Sequence, residues 1–143
     1  MPELTAIALT RGEGRGPVVR LAEPVSFWGG VDLHGTIVDH FHPDVGTSLT
    51  GCVLVMSGGR GSSSASSVLA ELIRTGKGPV AIVLEEGDAI LALGAMVADE
   101  LYGIVMPVVE SGLLHDRLTT GDVVTVRSDI GTGAAEILES PTN

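Results

Sequence analysis

The 143 residues suffice for one compact domain, and an apolar content of 44% is enough to give it one core. Aromatic residues make up only 3%, so that core must come mainly from Val, Ile, Leu, Ala and Met, which suits a small sheet covered by short helices. A formal charge of −10 with eight Lys and Arg argues against a nucleic-acid partner, which needs a basic patch, and no apolar run approaches the ~18 residues that span a bilayer.

The opening Met1-Pro2-Glu3-Leu4 lacks the charged and apolar regions of a secretory signal, so a cytoplasmic protein is expected. Leu4 to Leu9 reads as a strand. The Gly-rich run Arg11 to Gly16 reads as a turn into a second strand carrying Val18, Val19 and Leu21, the two strands forming a hairpin. The turn contains a G-x-G, but no helix follows it as a dinucleotide fingerprint requires. Residues 26–39, "SFWGGVDLHGTIVD", hold the only Trp, a Gly-Gly pair and a loop feeding a strand at Gly35 to Val38, whereas 40–51, "HFHPDVGTSLTG", reads as a loop.

The middle of the chain then alternates. Cys52 to Val55 reads as strand, Ser62 to Arg74 as helix, Val80 to Leu84 as strand, Asp88 to Leu101 as helix and Ile104 to Val109 as strand, which makes a βαβαβ unit. Val68, Leu69, Leu72 and Ile73 follow helical spacing, and Gly76 stands where a helix-ending glycine belongs. Asp88 is placed to cap the second helix, which Ile90, Leu91, Leu93, Met96 and Val97 make apolar on most sides, so it is buried or docked on something. "GDVVTVRSD" and "GAAEIL" read as a closing pair of strands. The expected architecture is mixed α/β over residues 1–143 as a single domain, a β-rich outer layer around the central βαβαβ unit.

The stretch "MSGGRGSSSASS", Met56 to Ser67, places three glycines, an arginine and six serines between the first of these central strands and its helix. A strand, a Gly-rich loop and a helix start put free backbone N–H groups and the positive end of the helix dipole at Gly61 to Ser64, where an anion or developing negative charge is stabilised. A P-loop is excluded because Ser63 and Ser64 stand where Lys-Ser/Thr is needed, and a nucleophile elbow because Ser62 lies in G-S-S-S. Two readings stay open. Ser62 simply caps a helix among small turn residues, or Arg60 holds a carboxylate beside it. Without a histidine base, Ser62 can accept a proton only if Arg60 and the nearby amides stabilise its alkoxide.

Five blocks in order, "SFWGGVD" (Ser26 to Asp32), "HP" (His42-Pro43), "GGRGSSSASSVLAELI" (Gly58 to Ile73), "LGAMVADELYG" (Leu93 to Gly103) and "PVV" (Pro107 to Val109), resemble the small subunit, or swivel domain, of the aconitase X family. The resemblance implies a swivelling β/β/α domain and a larger partner subunit that carries an iron–sulfur cluster on its own cysteines, none being bound by this chain alone. It also implies a small hydroxy-acid substrate and a proton acceptor at the serine after Arg-Gly, here Ser62. Arg60, Gly61, Ser63 and Ser64 are then the anion-binding candidates, and Gly29, Gly30, Asp32 and His42 the positioning ones. Because Ser63-Ser64-Ala65-Ser66-Ser67 follows Arg-Gly-Ser where the archaeal phosphomevalonate kind has Thr-Val-Gly-Ser-Tyr, the resemblance favours cis-3-hydroxy-L-proline as substrate over mevalonate 5-phosphate.

Other polar residues have plainer readings. His34, His40, His42 and His115 are too scattered to make a metal set. Glu85, Glu86 and Asp88 precede a helix whose dipole they favour. Cys52, flanked by Val53, is expected to be a buried strand thiol, and Phe27 and Trp28 pack or anchor a subunit interface. A reading of another class is a non-catalytic domain that docks on a partner through its second helix; an enzyme acting alone is the weakest, since the chain has no base, metal set or cofactor motif.

Overall fold

The computed structural model of the protein describes residues 3–112 and 117–140. Its elements run β1 (Glu3–Ala8), β2 (Gly12–Arg20), a short kinked helical turn α1 (Phe27–Gly30), β3 (Val53–Met56), α2 (Ala65–Thr75), β4 (Ala81–Leu84), α3 (Ala89–Tyr102), β5 (Val108–Glu110), β6 (Val123–Asp129) and β7 (Ala134–Glu139). The strands close into a barrel in the order β1-β5-β4-β3-β2-β6-β7. The run β2-β3-β4-β5 is parallel, and the other neighbours are antiparallel.

The two-residue period of the central strands sorts side chains between two cores. Val53 and Val55 of β3, Ala81 and Val83 of β4 and Val109 of β5 point into the barrel, where they meet Val124, Val126 and Ile137. Their alternates, Leu54, Met56, Ile82, Leu84 and Val108, face Leu69, Leu72 and Ile73 of α2 and Leu91, Ala95 and Ala98 of α3. Both faces of the parallel strands are therefore covered, which is why they read as unbroken apolar runs. Phe27, Ile37 and Leu49 anchor the long connection between β2 and β3 onto the helix-side core.

The βαβαβ unit, the mixed α/β class and the final strand pair stand as expected. Gly76 ends α2 in the left-handed region at φ 71°, and the Asp88 side chain caps α3 by accepting from the Leu91 N–H at 2.9 Å. Four local expectations are corrected. Arg11 to Gly16 is not a turn, because Gly12 to Gly16 belong to β2, where a Cβ on Gly14 or Gly16 would strike the Val80 or Gly51 carbonyl oxygen. These glycines admit close backbone approach.

Nor do β1 and β2 form a hairpin, since β1 pairs with β5 and β7 and β2 with β3 and β6. Gly35 to Val38 contributes only isolated bridges, Val31 with Ile37 and Thr36 with Ser48. The last central strand begins at Val108 rather than Ile104, because Thr10 intervenes. Its buried hydroxyl donates to the Met106 carbonyl at 2.9 Å and accepts from the Val108 N–H at 2.8 Å. Among the described residues no helix is long and apolar enough to cross a membrane.

Candidate functional site

Three connections leave the carboxyl ends of the parallel strands β3, β4 and β5, the position where α/β sheets commonly bind ligands. The one after β3 runs from Ser57 to Ser64, and the N–H of Glu86 in the next connection donates to the Ser57 carbonyl at 2.9 Å. An open cleft of about 560 Å³ lies beside them, lined by Pro24, Ser57, Gly58, Gly59, Glu85 and Glu86, with Gly112 from the third. Glu85 and Glu86 precede α3, as expected, and also line this cleft.

Glycine is required where the loop touches its neighbours. A Cβ on Gly59 would collide with the Asp88 carboxylate, and one on Gly61, at φ 100°, with the Ser26 hydroxyl. Past Gly61 the chain winds through three turns in which the amides of Ala65, Ser66 and Ser67 bond the carbonyls of Ser62, Ser63 and Ser64 at 3.0, 3.2 and 3.2 Å. Helix α2 consequently starts at Ala65 and not at Ser62. Ser64 holds the N-cap position without a side-chain capping bond.

The capping reading of Ser62 thus fails. Its residue is exposed and its hydroxyl makes no hydrogen bond among the described residues, and neither do the amides of Gly61, Ser62, Ser63 and Ser64. Unbonded N–H groups at a helix entrance are anion donors. Arg60, the residue before them, lies 3.7 Å from the Glu23 carboxylate with both side chains about half exposed (57% and 49%), a pairing worth at most about 1 kcal/mol. The guanidinium is therefore free to exchange Glu23 for a ligand carboxylate.

His42 reaches the same cluster from behind. It is buried, and its Nδ1 accepts from the Asp44 N–H at 2.9 Å, which leaves Nε2 as donor to the Glu23 carbonyl, also at 2.9 Å. The imidazole fixes the backbone of the residue that meets Arg60, and the Ala22 N–H bond to the Asp44 carboxylate at 3.1 Å fastens the same corner. Gly29, Gly30 and Asp32 make no hydrogen bond to residues 58–64 among the described residues. They build the adjoining loop, where Gly30 accepts from the Val38 N–H at 2.8 Å. Asp32 takes the Thr36 and His34 N–H groups at 3.0 and 2.9 Å, and these bonds, Thr36 first, hold its carboxyl below the ordinary range.

Sequence reasoning assigned no site role to Glu23, Ser26 or Asp88. Ser26 opens one of the family-like blocks and Asp88 reads as a helix cap, whereas nothing in the sequence marks Glu23. A cluster of iron and sulfur does not fit this chain's own donors. Among the described residues no three His, Cys, Asp or Glu side chains come together, and Cys52 is shut into the core, where burial pushes its thiol up to about 12. His115 lies outside the described residues.

Comparison with known proteins bears on the whole chain and not on single residues. The aconitase X swivel domain matches residues 3–135. A cis-3-hydroxy-L-proline dehydratase of Pseudomonas aeruginosa is 46% identical over 77% of this chain, and one of Hypocrea jecorina 43% identical over 71%. The matches fill only 19% and 17% of those two proteins, so the chain spans about a fifth of their length. The phosphomevalonate dehydratase small subunit of Pyrococcus furiosus is 34% identical over 95% of this chain and 96% of its own.

In the solved holo structure of Thermococcus kodakaraensis aconitase X, one chain superposes with a TM-score of 0.81 at 34% identity, covering 97% of this chain and all of that one. With a family match over residues 3–135 and a fold that superposes over nearly its whole length, the chain belongs to the aconitase X swivel-domain family.

Proposed function

We propose that this chain acts, as one swivel domain, as the small subunit of a cytoplasmic two-subunit hydro-lyase that dehydrates cis-3-hydroxy-L-proline, with Ser62 as proton acceptor. The observation that carries the reading is the loop itself. An exposed serine hydroxyl, without a hydrogen bond among the described residues, stands among four amides likewise unbonded there and next to Arg60. Such a group of donors is suited to negative charge on a serine oxygen and to a substrate carboxylate.

Ser62 takes the proton from C2 of the substrate, the 3-hydroxyl departs, and the enamine left after loss of water tautomerises to Δ1-pyrroline-2-carboxylate. Arg60 binds the substrate carboxylate. The amides of Gly61 to Ser64 lower the cost of the serine alkoxide. The rest of the site, including the iron–sulfur cluster that supplies Lewis acidity, belongs to a larger partner subunit. Glu23, Glu85 and Glu86 surround the loop with negative charge, so the chain alone is a poor place for an alkoxide and has no turnover without that partner.

The identities of 46% and 43% to two cis-3-hydroxy-L-proline dehydratases support that substrate. A second reading, a small subunit acting on mevalonate 5-phosphate, draws on the near full-length match to the Pyrococcus protein and on the amides, which suit a phosphate equally well. The deciding experiment reconstitutes the chain anaerobically with its large subunit and measures loss of water from both compounds. Turnover of the hydroxyproline is expected. Turnover of mevalonate 5-phosphate alone changes the substrate, and turnover of neither by a loaded complex leaves a non-catalytic docking domain.

A further inference from the structure

Arg60 stands between two glycines, and a side chain presses on each. The Asp88 carboxylate lies against Gly59 and the Ser26 hydroxyl against Gly61, each where a Cβ would have to stand. At Gly61 the backbone itself, with φ 100°, favours glycine. Gly59 carries no such demand, since its φ lies outside the left-handed region, and the three atoms nearest a Cβ there all belong to Asp88. Position 59 is therefore glycine because Asp88 occupies the place of a side chain.

Both pressing groups are themselves anchored. One oxygen of Asp88 accepts from the Leu91 N–H at 2.9 Å and caps α3, while the other, the atom nearest the place of a Gly59 Cβ, makes no hydrogen bond among the described residues. The preceding residue, Gly87, donates its N–H to the Glu110 carboxylate at the end of β5, and Glu86 donates to the Ser57 carbonyl. The three connections are thereby laced together, with Asp88 as the side chain that reaches the serine loop. On the other flank of Arg60 the Ser26 hydroxyl donates to the Trp28 carbonyl at 2.9 Å, beside the fully buried Phe27. Side chains fixed by their own partners can hold a site in place where a glycine-rich loop cannot hold itself.

We infer that Asp88 and Ser26 are positioning residues, a clamp on Gly59 and Gly61 that sets Arg60 for the substrate carboxylate. The inference rests on the role proposed above for Arg60 and adds what fixes its place. The pairing with Glu23, half exposed and 3.7 Å long, is too weak to orient the guanidinium by itself. Asp88 then has two separable duties, a helix cap through one oxygen and a grip on the loop through the other. Serine caps a helix about as well as aspartate but carries no second branch, whereas asparagine keeps both arms and loses only the charge.

The test compares wild type, Asp88→Ser, Asp88→Asn and Ser26→Ala by two readouts, with thermal unfolding as a control for folding. The first is KM and kcat for cis-3-hydroxy-L-proline in the anaerobically reconstituted assembly. The second, on the chain alone, is the rate of tryptic cleavage after Arg60, in the clamped loop, relative to cleavage after Arg74, inside α2. Asp88→Ser is expected to raise KM about tenfold while kcat falls less than about threefold, because the group displaced binds substrate and does not take the proton. It is also expected to speed cleavage after Arg60 at least about fivefold relative to Arg74, with the melting temperature within about 2 °C of wild type because the cap is kept. Ser26→Ala shifts both readouts in the same direction, and Asp88→Asn returns both to within about twofold of wild type. Unchanged KM and unchanged cleavage in Asp88→Ser overturn the clamp. So does faster cleavage after Arg60 and Arg74 alike, which marks a loosened α2 in place of a released loop. A wild-type assembly that dehydrates neither substrate removes the proposed reaction, and the cleavage ratio on the chain alone then decides the clamp.

Discussion

Replacing Ser62 by alanine separates the two roles that a serine at this place could have. Were its side chain a helix cap, the change would cost about 1 kcal/mol, which in a domain of this size lowers the melting temperature by about 2–4 °C. In the structure α2 begins three residues later, and the exposed Ser62 hydroxyl makes no hydrogen bond among the described residues. The expected change in stability is therefore within about 0.5 kcal/mol, under about 2 °C. As proton acceptor, by contrast, Ser62 accounts for about 10²–10⁴ of the rate, the usual contribution of a positioned base.

The assay is thermal unfolding of the chain alone, then kcat of the anaerobically reconstituted assembly on cis-3-hydroxy-L-proline, with assembly confirmed by light scattering. Ser64→Ala serves as the stability reference, since it removes a hydroxyl from the N-cap position that makes no capping bond. A Ser62→Ala assembly that turns over within about threefold of wild type would refute the proton-acceptor role. A drop of 3 °C or more (about 1 kcal/mol) would refute the unbonded geometry of the loop.

Two further substitutions test the frame on which the loop is held. Thr10→Val keeps the shape of the buried residue but leaves the Met106 carbonyl and the Val108 N–H without a partner, at about 1–3 kcal/mol for each. Chemical denaturation should show a loss of about 2–6 kcal/mol, with Thr10→Ser much closer to wild type, and a loss below about 1 kcal/mol for Thr10→Val contradicts the bridge. Asp32 has its folded-state carboxyl held below the unfolded value, by Thr36 and then His34. Its contribution is full above the unfolded range near ~3.9 and fades as pH falls through the folded value. Asp32→Asn should therefore lower the urea midpoint at pH 7 and converge on wild type below that range; a difference that does not change with pH sinks the argument.

The βαβαβ unit was legible because everything that defines it is local. Apolar runs of four residues mark the strands β3 and β4, helical spacing marks Val68 to Ile73, and Gly76 and Asp88 sit at the helix ends. What lay outside the sequence is set by contacts between distant segments. The glycines of β2 look like a turn until Val80 and Gly51 are seen lying against them, and the strand expected at Ile104 yields to a hydroxyl from Thr10, some hundred positions away in the chain. Barrel closure has no local signature either, since it comes from β1 reaching both β5 and β7.

The candidate site divides in the same way. Arg60 to Ser64 announces itself by composition, since only a loop that must turn sharply and expose amides concentrates glycine and serine between two buried elements. The residues that set its electrostatics do not. Glu23 is an ordinary acidic residue in the sequence, and it matters because the His42 ring, 19 positions later, holds its carbonyl and so places its carboxylate against Arg60. His42, given a positioning role only by the resemblance and set aside as a metal ligand, has both ring nitrogens bonded to backbone groups in the fold. On the proposed roles, its effect on chemistry would run through the arginine whose partner it holds. Substituting His42 is therefore expected to disturb substrate binding by way of Arg60, whereas substituting Ser62 acts on the proton itself, and the split between KM and kcat distinguishes the two.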